Sequence, residues 1–226
     1  VPSGRALAAA PRCNGLTATI FTAPFTGTEG DDVIVGTNGD DTITGNGGND
    51  TICGRDGIDT INGGDGNDWI SGGRGNDVIN GGTENDTIYG DAGDDTITDT
   101  SGANVAHGGT GSDTIQVTGQ AYGDSGDDPQ VDATETGSGL GDAVADGGSG
   151  SDIVAVHGGI ANGGSGYDEV SGTNAGDEIF GSSGGDLVNA SNSTAQTLDC
   201  GSAYDSFTAD VNDTVLPNCE NDITDN

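Results

Sequence analysis

From Gly27 to Gln116 the chain repeats every nine residues, ten units in succession without an insertion. The units read GTEGDDVIV, GTNGDDTIT, GNGGNDTIC, GRDGIDTIN, GGDGNDWIS, GGRGNDVIN, GGTENDTIY, GDAGDDTIT, DTSGANVAH and GGTGSDTIQ. The sixth place holds Asp32, Asp41, Asp50, Asp59, Asp68, Asp77, Asp86 and Asp95, then Asn104, then Asp113. The eighth holds Ile34, Ile43, Ile52, Ile61, Ile70, Ile79, Ile88 and Ile97, then Ala106, then Ile115. Nine is a whole multiple of neither 3.6 nor 2, so no single amphipathic helix or strand underlies the pattern. Each unit reads as a six-residue turn followed by a three-residue strand, and a short fixed period of this kind marks a solenoid.

The repeat assigns each place a physical job. Glycines at the first, second and fourth places permit dihedrals closed to other residues and let carbonyls converge. The sixth-place aspartate adds a carboxylate to those carbonyls, the all-oxygen surroundings that hard Ca²⁺ prefers. The eighth-place isoleucine points inward while its neighbours point out. Two units make one coil, so unit n stacks on unit n+2. Composition independently points to a multivalent cation. With 38 acidic residues against four basic ones, a formal charge of -34 and only 30% hydrophobic residues, the chain lies where disorder is the rule. Whatever folds it must neutralise carboxylates as well as order the backbone.

At this point the sequence resembles the RTX (repeats-in-toxin, hemolysin-type) calcium-binding family, whose nonapeptide signature is GGxGxDxUx with U a large apolar residue. The resemblance is strict over residues 27 to 116 and looser over most of 117 to 207. It implies an all-β fold, a right-handed parallel β-roll in which each Ca²⁺ sits between stacked turns, held by aspartate carboxylates and loop carbonyls.

Past Gln116 the strict period ends, but aspartates in similar turns recur at Asp128, Asp142, Asp152, Asp168, Asp177, Asp186 and Asp205. One edge of the roll, through Asp41, Asp59, Asp77, Asp95 and Asp113, is continued by Asp128, Asp152, Asp168, Asp186 and Asp205 at steps of 15, 24, 16, 18 and 19 residues. The other edge, through Asp32, Asp50, Asp68 and Asp86, degenerates at Asn104 into tight polar turns near Thr118-Gly119-Gln120 and His157-Gly158-Gly159, with isolated motifs at Asp142 and Asp177. The expectation is a two-edged calcium roll followed by a one-edged one. Nine gaps on the first edge and three on the second make about twelve Ca²⁺. Twelve divalent ions would bring the charge from -34 to about -10.

The whole chain reads as one domain: a leader and cap over 1–26, regular repeats over 27–116, irregular repeats over 117–197 and a second cap over 198–226. The caps resemble those of secreted actinobacterial calcium-binding repeat proteins. Cys200 is expected to bond Cys219 within the second cap, which leaves Cys13 for Cys53. Cys53 lies on an outward face with Val33, Val35, Trp69 and Tyr89, which the N-terminal segment is expected to cover. The cysteines depart from the family's toxins, which are usually free of them. Two disulfides, and an Ala-x-Ala ending at Ala10 after Arg5 that looks like a signal-cleavage remnant, point to a secreted, extracellular protein.

The charge excludes nucleic acid, whose binding needs clustered Lys and Arg, and no apolar run is long enough for membrane insertion. Gly123-Asp124-Ser125-Gly126 and Gly181-x-Ser183-x-Gly185 look like hydrolase loops, but both lie in turn register and neither His107 nor His157 is placed to join them. A non-enzymatic calcium-binding protein with an unidentified cell-surface or matrix partner is the expectation. The alternative is an ice-binding or adhesive solenoid using the outward Thr42-x-Thr44, Thr60-x-Asn62, Val78-x-Asn80, Thr96-x-Thr98 and Thr114-x-Gln116 array.

Overall fold

A computed structural model describes residues 10–135, 143–190, 194–219 and 221–222. Asp142, and the leader residues before Ala10, lie outside them. Among the described residues there is no helix, so none is long and apolar enough to cross a membrane. Parallel strands stack into a β-solenoid of about 10 turns.

The strands are longer and the turns shorter than the repeat suggests. Thr51–Asp56, Thr60–Asp65, Trp69–Arg74 and Val78–Thr83 are each six residues long, and three-residue turns separate them. Each strand takes the last three places of one unit and the first three of the next. The glycine-rich places stay in the ladder because their neighbours one coil away still pair with them, as in Asn46↔Gly64 and Arg55↔Gly73. The pairing skips the first-place glycine, where the strand kinks.

Strands pair with those two further along, so each coil rests on the one before. Phe25, Ile43, Ile61, Ile79, Ile97, Ile115, Val131, Val154, Val170, Val188 and Phe207 form one unbroken column. Ile34, Ile52, Ile70, Ile88, Ala106, Ala121, Ala145, Ala161, Ile179 and Leu198 form the facing one. Both columns are buried throughout.

Where the second column shrinks to alanine, the core is refilled from another place. Val117, Ala133, Val156 and Ala190 occupy positions that glycine holds in the regular units, and all are buried. The second edge is thus closed with methyl groups in the second half, which keeps interior volume filled as the coil narrows. Stacking also runs on past residue 198: Ser206–Thr208 pairs with Leu187–Asn189, and Thr214–Val215 with Thr197–Asp199.

At the N-terminus Arg12–Cys13 and Leu16–Thr17 form a small antiparallel hairpin. Cys13, Ala18 and Val35 make a second small cluster, packed by Val33, Cys53 and Trp69. The disulfides are Cys13–Cys53 and Cys200–Cys219, and no cysteine is free.

Candidate metal centres

The sixth-place aspartates form two columns, one on each edge. On the first edge the backbone N–H of each donates to Oδ1 of the next one coil on: Asp41 to Asp59, then Asp77, Asp95, Asp113, Asp128, Asp152, Asp168, Asp186 and Asp205, at 2.8–3.0 Å. The steps of 15, 24, 16, 18 and 19 residues are spanned without a missing rung. On the second edge Asp32 donates to Asp50, Asp50 to Asp68, Asp68 to Asp86, and Asp86 to the side-chain oxygen of Asn104, at 2.7–2.9 Å. That ladder ends at Asn104.

One carboxylate oxygen per rung is thereby occupied. The other, Oδ2, is buried with no hydrogen-bond partner in Asp50, Asp59, Asp68, Asp77, Asp86, Asp95, Asp113, Asp128, Asp152, Asp168 and Asp186. Burying an ionised carboxylate oxygen without a partner is costly, so such a series demands a compensating positive charge or a proton. Burial first, and then neighbouring carboxylates, pushes Asp68, Asp95 and Asp128 up to about 7. Asp50, Asp77, Asp113, Asp152 and Asp186 are raised to about 6 by the same causes.

The surroundings of each Oδ2 explain the first-place glycine. A Cβ on Gly45 would lie 2.2 Å from Asp50 Oδ2 and 2.2 Å from the carbonyl oxygen of Gly63. On Gly63 it would lie 2.3 Å from Asp68 Oδ2 and 2.3 Å from the carbonyl oxygen of Gly81. Any side chain there would fill the place where carboxylate and carbonyl oxygens converge. The fourth-place glycine adds a backbone need: Gly66 has φ +125° and a Cβ on it would lie 2.1 Å from the carbonyl oxygen of Gly48 one coil back, while the rare non-glycine there, Glu84, keeps φ +77°. No cluster of three or more His, Cys, Asp or Glu side chains converges among the described residues, so the main chain must supply part of any ion's shell. Paired carboxylates with carbonyls are a hard, all-oxygen set, which fits Ca²⁺.

Three predicted ligands are held differently. Asp32 Oδ2 accepts from Thr28 N–H and Oγ1, and its Oδ1 from Thr19 Oγ1, which together hold its carboxyl below the ordinary value despite burial. Asp41 Oδ2 likewise accepts from the N–H and Oγ1 of Thr37, at 2.6 and 2.9 Å. The first rung of each edge therefore carries a threonine in place of the second glycine. Asp177 Oδ1 accepts from the N–H groups of Gly158 and Gly159, and Oδ2 from that of Asn174, so it ties a tight turn. Sequence reasoning passed over Asp99, which stands where all nine other units begin with glycine and is 1% exposed.

The hydrolase-like loops hold no triad. Ser125 Oγ donates to the carbonyl of Gly109 and Ser183 Oγ to that of Gly164, while His107 faces Asp124 and His157 faces Thr173 and Asp132. On the outward face Thr42, Thr60, Val78, Thr96 and Thr114 stand in register, with Val78 49% exposed in the middle of the row.

The chain is thus a parallel β-solenoid whose turns carry ladders of half-satisfied aspartates. The family model of the RTX calcium-binding nonapeptide repeat matches in four copies, over residues 26–61, 54–88, 62–97 and 98–117. Residues 26–117 are RTX repeats, and the roll carries the same rungs on past that match. No curated protein matches the chain as a relative.

Proposed function

We propose that this protein is a secreted, non-catalytic calcium binder that takes up about twelve Ca²⁺ between its coils and folds as it does so. The observation that carries this reading is the series of buried Oδ2 atoms, eleven of them in the sixth place, each without a hydrogen-bond partner. A Ca²⁺ between successive rungs would be held by Oδ2 atoms and the convergent glycine carbonyls, and would supply the charge that the buried carboxylates lack.

Magnitudes favour folding coupled to binding. One buried isoleucine per unit contributes about 1.5–3 kcal/mol. Ordering the backbone costs about 1–2 kcal/mol for every residue, so each nine-residue unit falls well short on apolar burial alone. Metal binding free energy then becomes folding free energy. Extracellular calcium modules commonly bind at about 10⁻⁴ to 10⁻³ M, so the chain would stay open in a low-calcium cytoplasm and close after export. The two disulfides support an oxidising destination. A cell-surface or matrix component fits this chemistry.

The test is a Ca²⁺ titration of EDTA-stripped protein followed by circular dichroism, with Mg²⁺ as control. A cooperative gain of β signal with Ca²⁺ alone is expected. A protein folded without metal and indifferent to Ca²⁺ overturns the reading.

A further inference from the structure

The second edge ends at an exchange of residue types. In the ninth unit, DTSGANVAH, the sixth place has lost its aspartate to Asn104, while the first has exchanged glycine for Asp99. Backbone pairing places Asp99 beside Val117, where the methyl-filled part of the second edge begins. Asp99 therefore stands at the boundary between the oxygen-lined turns and the apolar ones.

Its carboxylate occupies a defined place. In the regular rungs two oxygens crowd the first-place glycine: Oδ2 of the unit's own aspartate and the carbonyl of the glycine one coil on, as Gly81 does for Gly63. At Gly81 itself that carbonyl is replaced. A Cβ there would lie 2.5 Å from Asp86 Oδ2 and 2.1 Å from Asp99 Oδ2. Both aspartates are 1% exposed, and neither Oδ2 has a hydrogen-bond partner. Asp99 Oδ1 accepts the N–H of Ser101 at 3.1 Å, which fixes the carboxylate. Asn104 keeps the other duty of the lost aspartate, accepting the N–H of Asp86. The two tasks of one sixth-place residue, closing the ladder and presenting a carboxylate, are divided here between Asn104 and Asp99.

We propose that Asp86 and Asp99 form a terminal Ca²⁺ site on the second edge, beyond those that the repeat defines. The two carboxylates supply two negative charges to one ion, with a carboxylate oxygen standing where a carbonyl stands elsewhere. Burial raises both groups, and at Asp86 the neighbouring carboxylate of Asp99 raises it further. The competing arrangement is a shared proton, an acid pair that merely stops the ladder.

This inference rests on the calcium-binding reading, and ion counting separates their failures. Native mass spectrometry of the Ca²⁺-saturated protein gives the number of bound ions for the wild type, Asp99→Asn, Asp99→Gly and the double variant Asp99→Gly/Asn104→Asp. Circular dichroism checks that each is folded, and Asp99→Asn preserves the shape should Asp99→Gly lose it. The expected result is one ion fewer in both single variants and the full count in the double variant, which restores the regular unit. An unchanged count in Asp99→Asn, with the wild type loaded, overturns the site and leaves the proton-sharing pair. A wild type that takes up no Ca²⁺ overturns both readings together.

Discussion

The backbone N–H of Asp113 donates to Oδ1 of Asp128 at 2.8 Å, although only 15 residues separate them where earlier coils use 18. Three residues are lost on the opposite side, where Gly119 turns with φ +119° against Asn104. The coil shortens at the edge where the carboxylate ladder has ended and keeps its geometry at the edge where the ladder continues.

Asp128 therefore has two separable tasks. Asp128→Asn keeps an acceptor for Asp113, as Asn104 does for Asp86, but removes a charge shared by two gaps. It should raise the Ca²⁺ concentration at half-folding with little loss once saturated. Asp128→Ala also strands a buried N–H, which costs a further ~1–3 kcal/mol. Denaturant melts in saturating Ca²⁺ should separate the two variants; equal stability would mean that the ladder bond is dispensable.

Acidity should substitute in part for calcium. In the metal-free roll burial raises most of the ladder aspartates, Asp50 to about 6 and Asp95 to about 7, against 3.8 ordinarily. The folded chain then binds more protons than the unfolded one over that window, so its stability is greatest below the ordinary value and falls as pH rises through 6 to 7. In EDTA, circular dichroism should show more β structure at about pH 4.5 than at about pH 8. With Ca²⁺ present the trend in affinity runs the other way, because the ion and the protons compete for the same oxygens. A metal-free chain more ordered at the higher pH would contradict the buried ladder.

The first disulfide should hold down the N-terminal cover. Cys13–Cys53 closes a separation of 40 residues, worth about 4 kcal/mol as loop entropy, and the hairpin it anchors packs on Val35 and Trp69. Trp69 is the chain's one tryptophan, so its emission reports the cover directly. Cys13→Ser/Cys53→Ser should shift that emission to the red and lower the melting temperature. An unmoved spectrum would mean that the cover stays without its bond.

Much of this was legible in the sequence because a solenoid writes its geometry as a period. The ladder from Asp41 to Asp205 follows from spacing alone, since each rung must meet the next. Less legible was the division of labour inside the turn. Composition cannot distinguish a glycine that keeps the oxygen-lined turn open, such as Gly45, from one held at positive φ against the backbone of the coil before it, such as Gly66. Nor does the motif show that Thr28 and Thr37 take up the Oδ2 atoms of Asp32 and Asp41, or that Asp177 ties a turn, because those bonds depend on side chains outside the consensus. The six-residue strands were missed because glycine has low strand propensity, which stacking on a neighbouring coil overrides.

That division makes opposite predictions for two neighbouring substitutions. Gly63→Ala puts a methyl where Asp68 Oδ2 and the Gly81 carbonyl meet, with backbone on one side that cannot swing away. It should remove the ion between those rungs and cost several-fold in overall Ca²⁺ affinity. Glu84→Gly acts the other way. Glu84 holds φ +77°, a strain of about 1–2 kcal/mol for a residue with a Cβ, and its carboxylate adds to the charge around Asp68 and Asp86. Glycine relieves the strain, offset by about 0.5–1 kcal/mol of added freedom in the unfolded chain. The metal-free roll should gain most, since there the carboxylate's repulsion is unscreened by Ca²⁺. Melts in EDTA at about pH 5, where the ladder is largely protonated, should show Glu84→Gly above wild type and Gly63→Ala below it. A stabilised Gly63→Ala would mean that the first place needs glycine for nothing but composition, and that the oxygens do not converge there.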